Sequence, residues 1–182
     1  MQADKAVRKF LEAHGAGAIE HPGGTLLAHL CRTADLLATW RAPPALTLAG
    51  LCHAAYGTDG FPTALLPPSR RNDLVEVIGA TAEAIVYFYA SCDRRMFLPQ
   101  LGRHDPPRFR DRFTQAEFHA ELAIVRQFVE LTFANELDIA AHSPAFAQTY
   151  GRSLVELFGR CRELASDAAN AAAARLVRPP TP

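Results

Sequence analysis

The sequence has no long hydrophobic run, no net charge and few cysteines, and each of these absences argues against a class of protein. No apolar run approaches the roughly 18 to 20 residues that cross a bilayer. The 19 basic and 19 acidic residues cancel, whereas proteins that bind nucleic-acid phosphates usually carry a basic excess. The four cysteines contain no CxxC pair, which argues against a zinc knuckle or a thioredoxin-type motif. The charged N-terminal segment does not resemble a secretory signal. We therefore expect a cytoplasmic protein with no nucleic-acid or membrane partner.

What the chain does contain is typical of a folded helical domain. Of its 182 residues, 49% are hydrophobic and 21% are charged, which is enough apolar surface for one core. Apolar residues recur at helical spacing between Pro/Gly breaks, and they predict helices over residues 3–14, 26–40, 44–55, 72–91, 114–135 and 144–165. The fold class is therefore predicted as all-α, with six or seven helices in a single domain over 1–165. Residues 166–182 are predicted to be a frayed Ala/Pro-rich tail, with its alanines as a candidate homodimer contact.

Two histidines are the strongest candidates for catalysis, because each lies inside an apolar helical segment. Burying an imidazole costs free energy unless it is hydrogen-bonded, so His29 and His53 need either a partner or a chemical task. A Gly-rich turn follows His53 and supplies Tyr56, Thr58 and Asp59. We predict His29, His53, Tyr56 and Asp59 as catalytic residues, with Thr58 binding the substrate.

Four further residues are predicted to line the same small-molecule pocket. His21 precedes a Pro-Gly-Gly loop, Phe61 follows the Gly-rich turn, and Glu83 and Tyr87 lie on one predicted helix. Asp93 ends that helix, where it more simply acts as a cap. The weaker candidates are His104, His119 and His142. No P-loop, GxSxG, HExxH or dinucleotide-binding motif is present.

The segments around the two central histidines resemble those of the HD-domain superfamily. LLAHLCRTADLL is similar to the segment with the first histidine, LAGLCHAAYGT to the segment that usually reads His-Asp, and TFANELDIA to the late helix with the last aspartate. More closely, HPGGTLLAHL, AGLCHAAYGTDGF, IGATAEAIVY and ANELD, over roughly residues 10–140, resemble an uncharacterised HD-like family of unknown function. The resemblance implies a helical domain that binds a divalent metal and hydrolyses phosphate esters, or oxidises small molecules with two irons.

Two metal-binding positions of that pattern hold other residues here. Ala54 and Asn135 stand where the pattern has aspartate. Losing both carboxylates removes most of the negative charge that a hard cation requires, so we expect no metal cofactor. The alternative is Fe²⁺ or Zn²⁺ bound by His29, His53 and one carboxylate. The carboxylates considered for that position are Asp138 and Asp93, with Asp59 and Glu83 as further candidates.

Three functions remain open on the sequence. The predicted one is a metal-independent enzyme in which His29 and His53 act as acid and base on a small organic substrate, by isomerisation, elimination, cyclisation or hydrolysis. The second is an Fe- or Zn-dependent hydrolase or oxygenase of the HD type. The third is a non-catalytic small-molecule-binding or interaction domain. The first requires both histidines to face one cavity.

Overall fold

The computed structural model describes residues 2–103 and 106–176. Helices dominate this part of the chain, so the fold is all-α, as predicted. The elements are α1 (Gln2–Ala13), β1 (Glu20–His21), β2 (Gly24–Thr25), α2 (Leu26–Thr39), α3 (Pro44–Cys52), α4 (Arg71–Ile78), α5 (Ala80–Ser91), α6 (Arg94–Phe97), β3 (Arg108–Arg110), β4 (Glu117–His119), α7 (Leu122–His142), α8 (Pro144–Arg160) and α9 (Asp167–Leu176). No helix within these residues combines the length and the apolar character needed to cross a membrane. His104, one of the weaker candidates, lies outside the described residues.

Helix α7 is the centre of the packing. It contacts α2, α3, α5, α8 and α9, and the middle of the helix is buried on nearly every side, from Phe128 to Asn135. Helices α2 and α3 pack closely against each other because Gly50 lies at their contact, where an added Cβ would collide with Leu37. This packing brings the ends of the two histidine-bearing segments against one face of α7.

The start of α2 agrees with the sequence prediction. Thr25 accepts a hydrogen bond from the backbone N–H of Ala28 at 3.2 Å, as an N-cap residue does. The predicted apolar stripe of this helix is buried, from Leu26 to Trp40. The N-cap and the apolar stripe together fix the rotation of α2, and His29 consequently points into the interior.

The single helix predicted over 72–91 is instead two helices, α4 and α5. Gly79 separates them with φ 81° and ψ 155°, a conformation that a residue with a side chain rarely adopts. Its N–H donates to the Val75 carbonyl, and its own carbonyl accepts from Glu83. The apolar spacing continues through the break, so periodicity alone did not reveal it.

The helix predicted over 114–135 begins eight residues later and runs on to His142. Residues before it form β4, which pairs with β3 so that Phe118 faces Phe109 in register. The Asp111 carboxylate accepts hydrogen bonds from the N–H groups of Phe113 and Thr114, which favours a turn over a helix start. Helical spacing would place Phe118 and Leu122 on the same buried face as Val125, but they are 46% and 58% exposed.

Part of the predicted tail is ordered as helix α9. Ser166 donates to Glu130 from both its N–H and its hydroxyl, at 2.9 and 2.6 Å. Ala169 and Ala173 are buried, since their small side chains let α9 approach α7 and α8. Residues 177–182, the remainder of the predicted tail, lie outside the described residues.

Docking of α9 can be tested with one buried and one exposed alanine. Ala169→Glu places a carboxylate in a fully buried position, and we expect it to lower the free energy of unfolding by about 2–4 kcal/mol. Ala171→Glu, on the exposed face of the same helix, should change it by less than about 0.5 kcal/mol. Urea denaturation measures both, and equal effects would contradict the packing of α9.

Candidate functional site

His29 and His53 lie against each other in the interior. His29 comes from α2 and His53 follows the last residue of α3, and they are 1% and 2% exposed. Their Nε2 atoms are 3.3 Å apart, and their rings meet edge to face. The sequence hypothesis required both histidines to face one cavity. The structure brings the two rings together, but of the two only His53 lines the cavity described below.

The other ring nitrogen of each histidine is held by an acceptor, which sets where the protons are. His29 Nδ1 lies 2.6 Å from the Asp138 carboxylate, and His53 Nδ1 lies 2.8 Å from the Gly50 carbonyl oxygen. Both Nδ1 atoms therefore carry a proton. His53 Nε2 is consequently unprotonated and has a lone pair to offer.

Asn135 contacts the Nε2 atom of His29 through its side-chain oxygen. Its amide nitrogen donates to Glu136 at 3.0 Å, so its oxygen is the atom that lies 3.1 Å from His29 Nε2. His29 Nε2 thus faces two acceptors, the Asn135 oxygen and the His53 lone pair. The contact with Asn135 is a hydrogen bond when His29 Nε2 carries a proton.

Asp138 supplies a buried negative charge beside His29. It is 2% exposed, and Arg32 donates to both of its oxygens at 2.7 and 2.9 Å. Burial alone would raise the pKa of Asp138, but the hydrogen bonds from His29 and Arg32 outweigh burial and lower it. Asp138 therefore stays ionised. His142, a weaker sequence candidate, donates from Nδ1 to the backbone carbonyl of Asp138.

Two neighbouring histidines are kept neutral. Burial, together with the nearby His29, lowers the pKa of His53 to about 3. His21, in β1, stacks on His29 with ring centroids 4.1 Å apart, and burial together with His29 lowers the pKa of His21 to about 4. His29, which is bound to Asp138, thus lies beside two imidazoles that the fold keeps neutral.

The two neutral histidines line a cavity of about 650 Å³. His29 is not on its surface and contacts it through His21 and His53. Helix α8 supplies an apolar wall. The apolar lining side chains are Phe61, Leu98, Ile139, Phe146, Leu154 and Leu157, and the polar ones include Thr58, Arg94, Thr132, Asn135 and Glu136. The volume suits a small organic molecule.

Only some of the residues in and after the Gly-rich turn line the cavity, as their predicted roles require. Thr58 and Phe61 line the cavity, and the Thr58 hydroxyl accepts from the Phe61 N–H at 3.1 Å. Asp59, predicted as catalytic, is exposed and does not line this cavity. It accepts a hydrogen bond from the backbone N–H of Arg94 at 2.9 Å, so it holds the turn against the start of α6.

Tyr56, Glu83 and Tyr87 form a separate polar cluster that does not line this cavity. The Tyr56 hydroxyl donates to Glu83 at 2.9 Å, and Arg71 donates to both Glu83 oxygens at 2.7 Å. Arg71 also lies 3.7 Å from the centre of the Tyr87 ring. The first turn of α5 faces α4 because of the break at Gly79, so the predicted roles of these three residues do not match their placement.

The residues present do not fit the alternative metal site. Asp138 binds the Nδ1 side of His29, away from the His53 nitrogen. Asp93 caps α6 by accepting from Met96 and pairs with Arg110. Across residues 2–103 and 106–176, no group of three or more His, Cys, Asp or Glu side chains could hold a metal ion. The carboxylate that Fe²⁺ or Zn²⁺ would share with the two histidines is therefore engaged elsewhere.

Sequence reasoning missed Arg32, Arg94 and Glu136. Arg32 lies three residues after His29, on the same face of α2. That spacing was an available signal that it could reach a partner of this histidine. The pairing of Arg94 with Glu136 at 3.3 Å joins α6 to α7, and no local pattern indicates such a contact. His119, a weaker candidate, is exposed and bonds the Pro106 carbonyl.

Comparison with known proteins matches part of the chain to a family model without a known activity. Residues 10–94 match a family model described as a domain of unknown function (DUF6817). No curated protein and no solved structure matches the chain. The matched segment contains His21, His29 and His53 but ends before α7, which contributes Asn135 and Asp138. Function must therefore be argued from the geometry of the site.

The neutral state of His53 predicts a pH dependence of stability. Its pKa is about 3 in the fold and 6.5 as the ordinary value, so below pH 6.5 the unfolded chain binds a proton that the native state does not. The stabilisation is thus complete above pH 6.5 and declines as the pH falls toward 3. We expect His53 to account for a loss of about 2 kcal/mol between pH 7 and pH 5.

Urea denaturation across this pH range measures the effect, and His53→Asn is the matched variant. His21 contributes in the same direction, so the wild-type slope alone does not isolate His53. The variant should lose less stability than the wild type between pH 7 and pH 5. Identical pH slopes for the two proteins would show that His53 is not kept neutral by the fold.

Proposed function

We propose that this protein is a metal-independent enzyme that moves a proton within a small organic substrate bound in the cavity. His53 is the base and His29 is its charged partner. The observation that carries the proposal is that His53 lines the cavity and that its Nε2 atom lies 3.3 Å from the Nε2 atom of His29. Two neighbouring titratable groups take acid and base roles when their environments separate their pKa values.

The contacts of His29 allow His53 to be released toward a substrate. The His29 Nε2 proton has two acceptors, and the Asn135 oxygen, at 3.1 Å, is the closer one. When the His29 Nε2–H group donates its hydrogen bond to Asn135, the His53 lone pair is free to accept a proton from a substrate. The His29 imidazolium then lies behind the base, where its positive charge stabilises negative charge that develops on the substrate.

The same charge determines which reactions suit the site. A His53 that has taken a proton is a second cation beside His29, so it is a strong acid that returns the proton readily. A base of this kind removes a proton only from an activated position and delivers it to another atom of the same molecule. Isomerisation and elimination fit this cycle better than cyclisation or hydrolysis.

The HD-like scaffold is part of this proposal. Two histidines from consecutive helices meet a residue of a late helix, which is the arrangement that the sequence resemblance implies. Here the late residue is Asn135, and Ala54 lines the cavity beside His53. The absence of the two aspartates supports a site in which imidazoles carry out the chemistry.

Loss of the His53 lone pair should abolish turnover. In His53→Asn, the amide nitrogen can still donate to the Gly50 carbonyl, but Nε2 is gone. We expect deuterium exchange from D₂O into a panel of ketones, 2-oxo acids and β-hydroxy carbonyl compounds, followed by proton NMR, to occur with wild type and to fall at least about 100-fold in the variant. Tyr56→Phe, in the separate polar cluster, should keep the exchange rate within about threefold.

A variant of His53 that remains active would contradict the role of this residue. Binding of panel compounds without any exchange by the wild type would instead favour the non-catalytic binding domain. Circular dichroism of both variants verifies that the fold is retained, so that lost exchange is attributable to the missing nitrogen.

Asp138 is predicted to act through His29. In Asp138→Asn, the carboxylate that supports the imidazolium is lost, and a side-chain amide turned toward Nδ1 favours the wrong tautomer. We expect the exchange rate to fall roughly 100-fold with little change in substrate affinity, because Asp138 does not line this cavity. A loss confined to KM would indicate a binding role instead.

A further inference from the structure

A charged pair on α6 and α7 lines the same cavity as His53. Arg94 and Glu136 are 16% and 12% exposed, and Arg94 Nη1 donates to Glu136 Oε1 at 3.3 Å. The guanidinium also lies over the Tyr89 ring, 5.0 Å from its centre. These contacts hold both side chains in place at the cavity surface.

The pair leaves donor nitrogens of Arg94 and one acceptor oxygen of Glu136 without a partner in the described part of the chain. Asn135 donates to the same Glu136 oxygen, Oε1, that Arg94 contacts. Arg94 Nη2 and Glu136 Oε2 make no hydrogen bond with another residue in the described part of the chain. Neither atom is among the buried unpartnered atoms of this part of the chain, whereas Arg94 Nε is. Both atoms therefore keep some solvent exposure, and both residues line the cavity. An anionic group can bind at Nη2 while a cationic group binds at Oε2.

The charges that line the cavity cancel. Arg94 and Glu136 are one pair, and α8 adds Arg160 and Glu156. The two lining histidines are neutral. A ligand with a net charge would lose hydration without compensation in this partly buried space, whereas a ligand with both charges satisfies both members of the pair.

We infer that the cavity takes a zwitterion of the α-amino-acid type with an apolar remainder. Its carboxylate binds Arg94 Nη2, its ammonium group binds Glu136 Oε2, and its apolar part packs against α8 at Phe146, Leu154 and Leu157. That this ligand is the substrate rests on the proposed function. The carbon–hydrogen bond that reacts at His53 then lies in the remainder of the molecule.

Four probes that share the isobutyl group of leucine test the charge requirement. L-Leucine is the zwitterion, 4-methylpentanoate lacks the ammonium group, 3-methylbutylamine lacks the carboxylate, and 4-methylpentanamide is uncharged. Isothermal titration calorimetry at pH 7 should show leucine binding at least tenfold more tightly than the other three. Equal or tighter binding of any of these three, or no binding of leucine, would overturn the inference.

Charge-neutralising variants should reverse the selectivity in opposite directions. Glu136→Gln removes the partner of the ammonium group. The affinity for 4-methylpentanoate relative to that for leucine should therefore rise at least tenfold. Arg94→Gln should produce the same gain for 3-methylbutylamine. Glu163→Gln, an exposed carboxylate outside this cavity, should leave the order of the probes unchanged. Unchanged ratios in Glu136→Gln would overturn the inference even if Arg94→Gln fails to fold.

Binding and turnover fail separately in this design. His53→Asn should retain the preference for leucine, because His53 is not one of the two charged partners. Charge selectivity without exchange into any compound would reject the proposed function and leave the ligand class standing. Exchange that depends on His53, without charge selectivity, would reject the ligand class alone.

Discussion

The contact between Asp138 and His29 is the interaction on which the rest of the site depends. It joins α7 to α2 across the interior at 2.6 Å, and it fixes which nitrogen of His29 faces His53. Without a carboxylate at Nδ1, the imidazolium would be an uncompensated buried charge, which a protein interior does not tolerate. Arg32 completes the contact by binding both Asp138 oxygens, so the carboxylate is itself neutralised and held in one orientation.

This constraint explains why three adjacent histidines behave differently. His21, His29 and His53 lie within a few ångströms of one another, but only His29 has a carboxylate partner. Burial and the neighbouring His29 both lower the pKa of His21 and of His53. Neutral imidazoles therefore lie at the cavity, and the histidine that is bound to a carboxylate lies behind them. This difference follows from one aspartate and does not require any unusual property of the rings.

Much of the fold and part of the site could be predicted from local sequence. His29 and His53 were identifiable because a polar ring in an apolar helical stripe is costly unless it has a partner, and the N-cap at Thr25 is a property of four adjacent residues. Gly79 was not recognised as a break because the apolar spacing continues across it. That break turns Glu83 toward Arg71 and away from the cavity. Likewise, the pairing of Phe118 with Phe109 depends on residues nine positions apart, and helical spacing between Phe118 and Leu122 conceals it.

The least predictable feature of the site is the one that gives it a chemical character. In the sequence, Asn135 departs from an aspartate pattern, and this departure indicates only that a metal-binding carboxylate is missing. In the fold its oxygen faces His29 and its nitrogen faces Glu136, so the same side chain connects the imidazolium to the charged pair with Arg94. An aspartate there would place a second carboxylate beside His29 and would repel Glu136. With an amide at this position, Asp138 is the carboxylate partner of His29. Asn135 therefore connects the two histidines of the proposed proton transfer to the charged pair of Arg94 and Glu136, whose charges cancel.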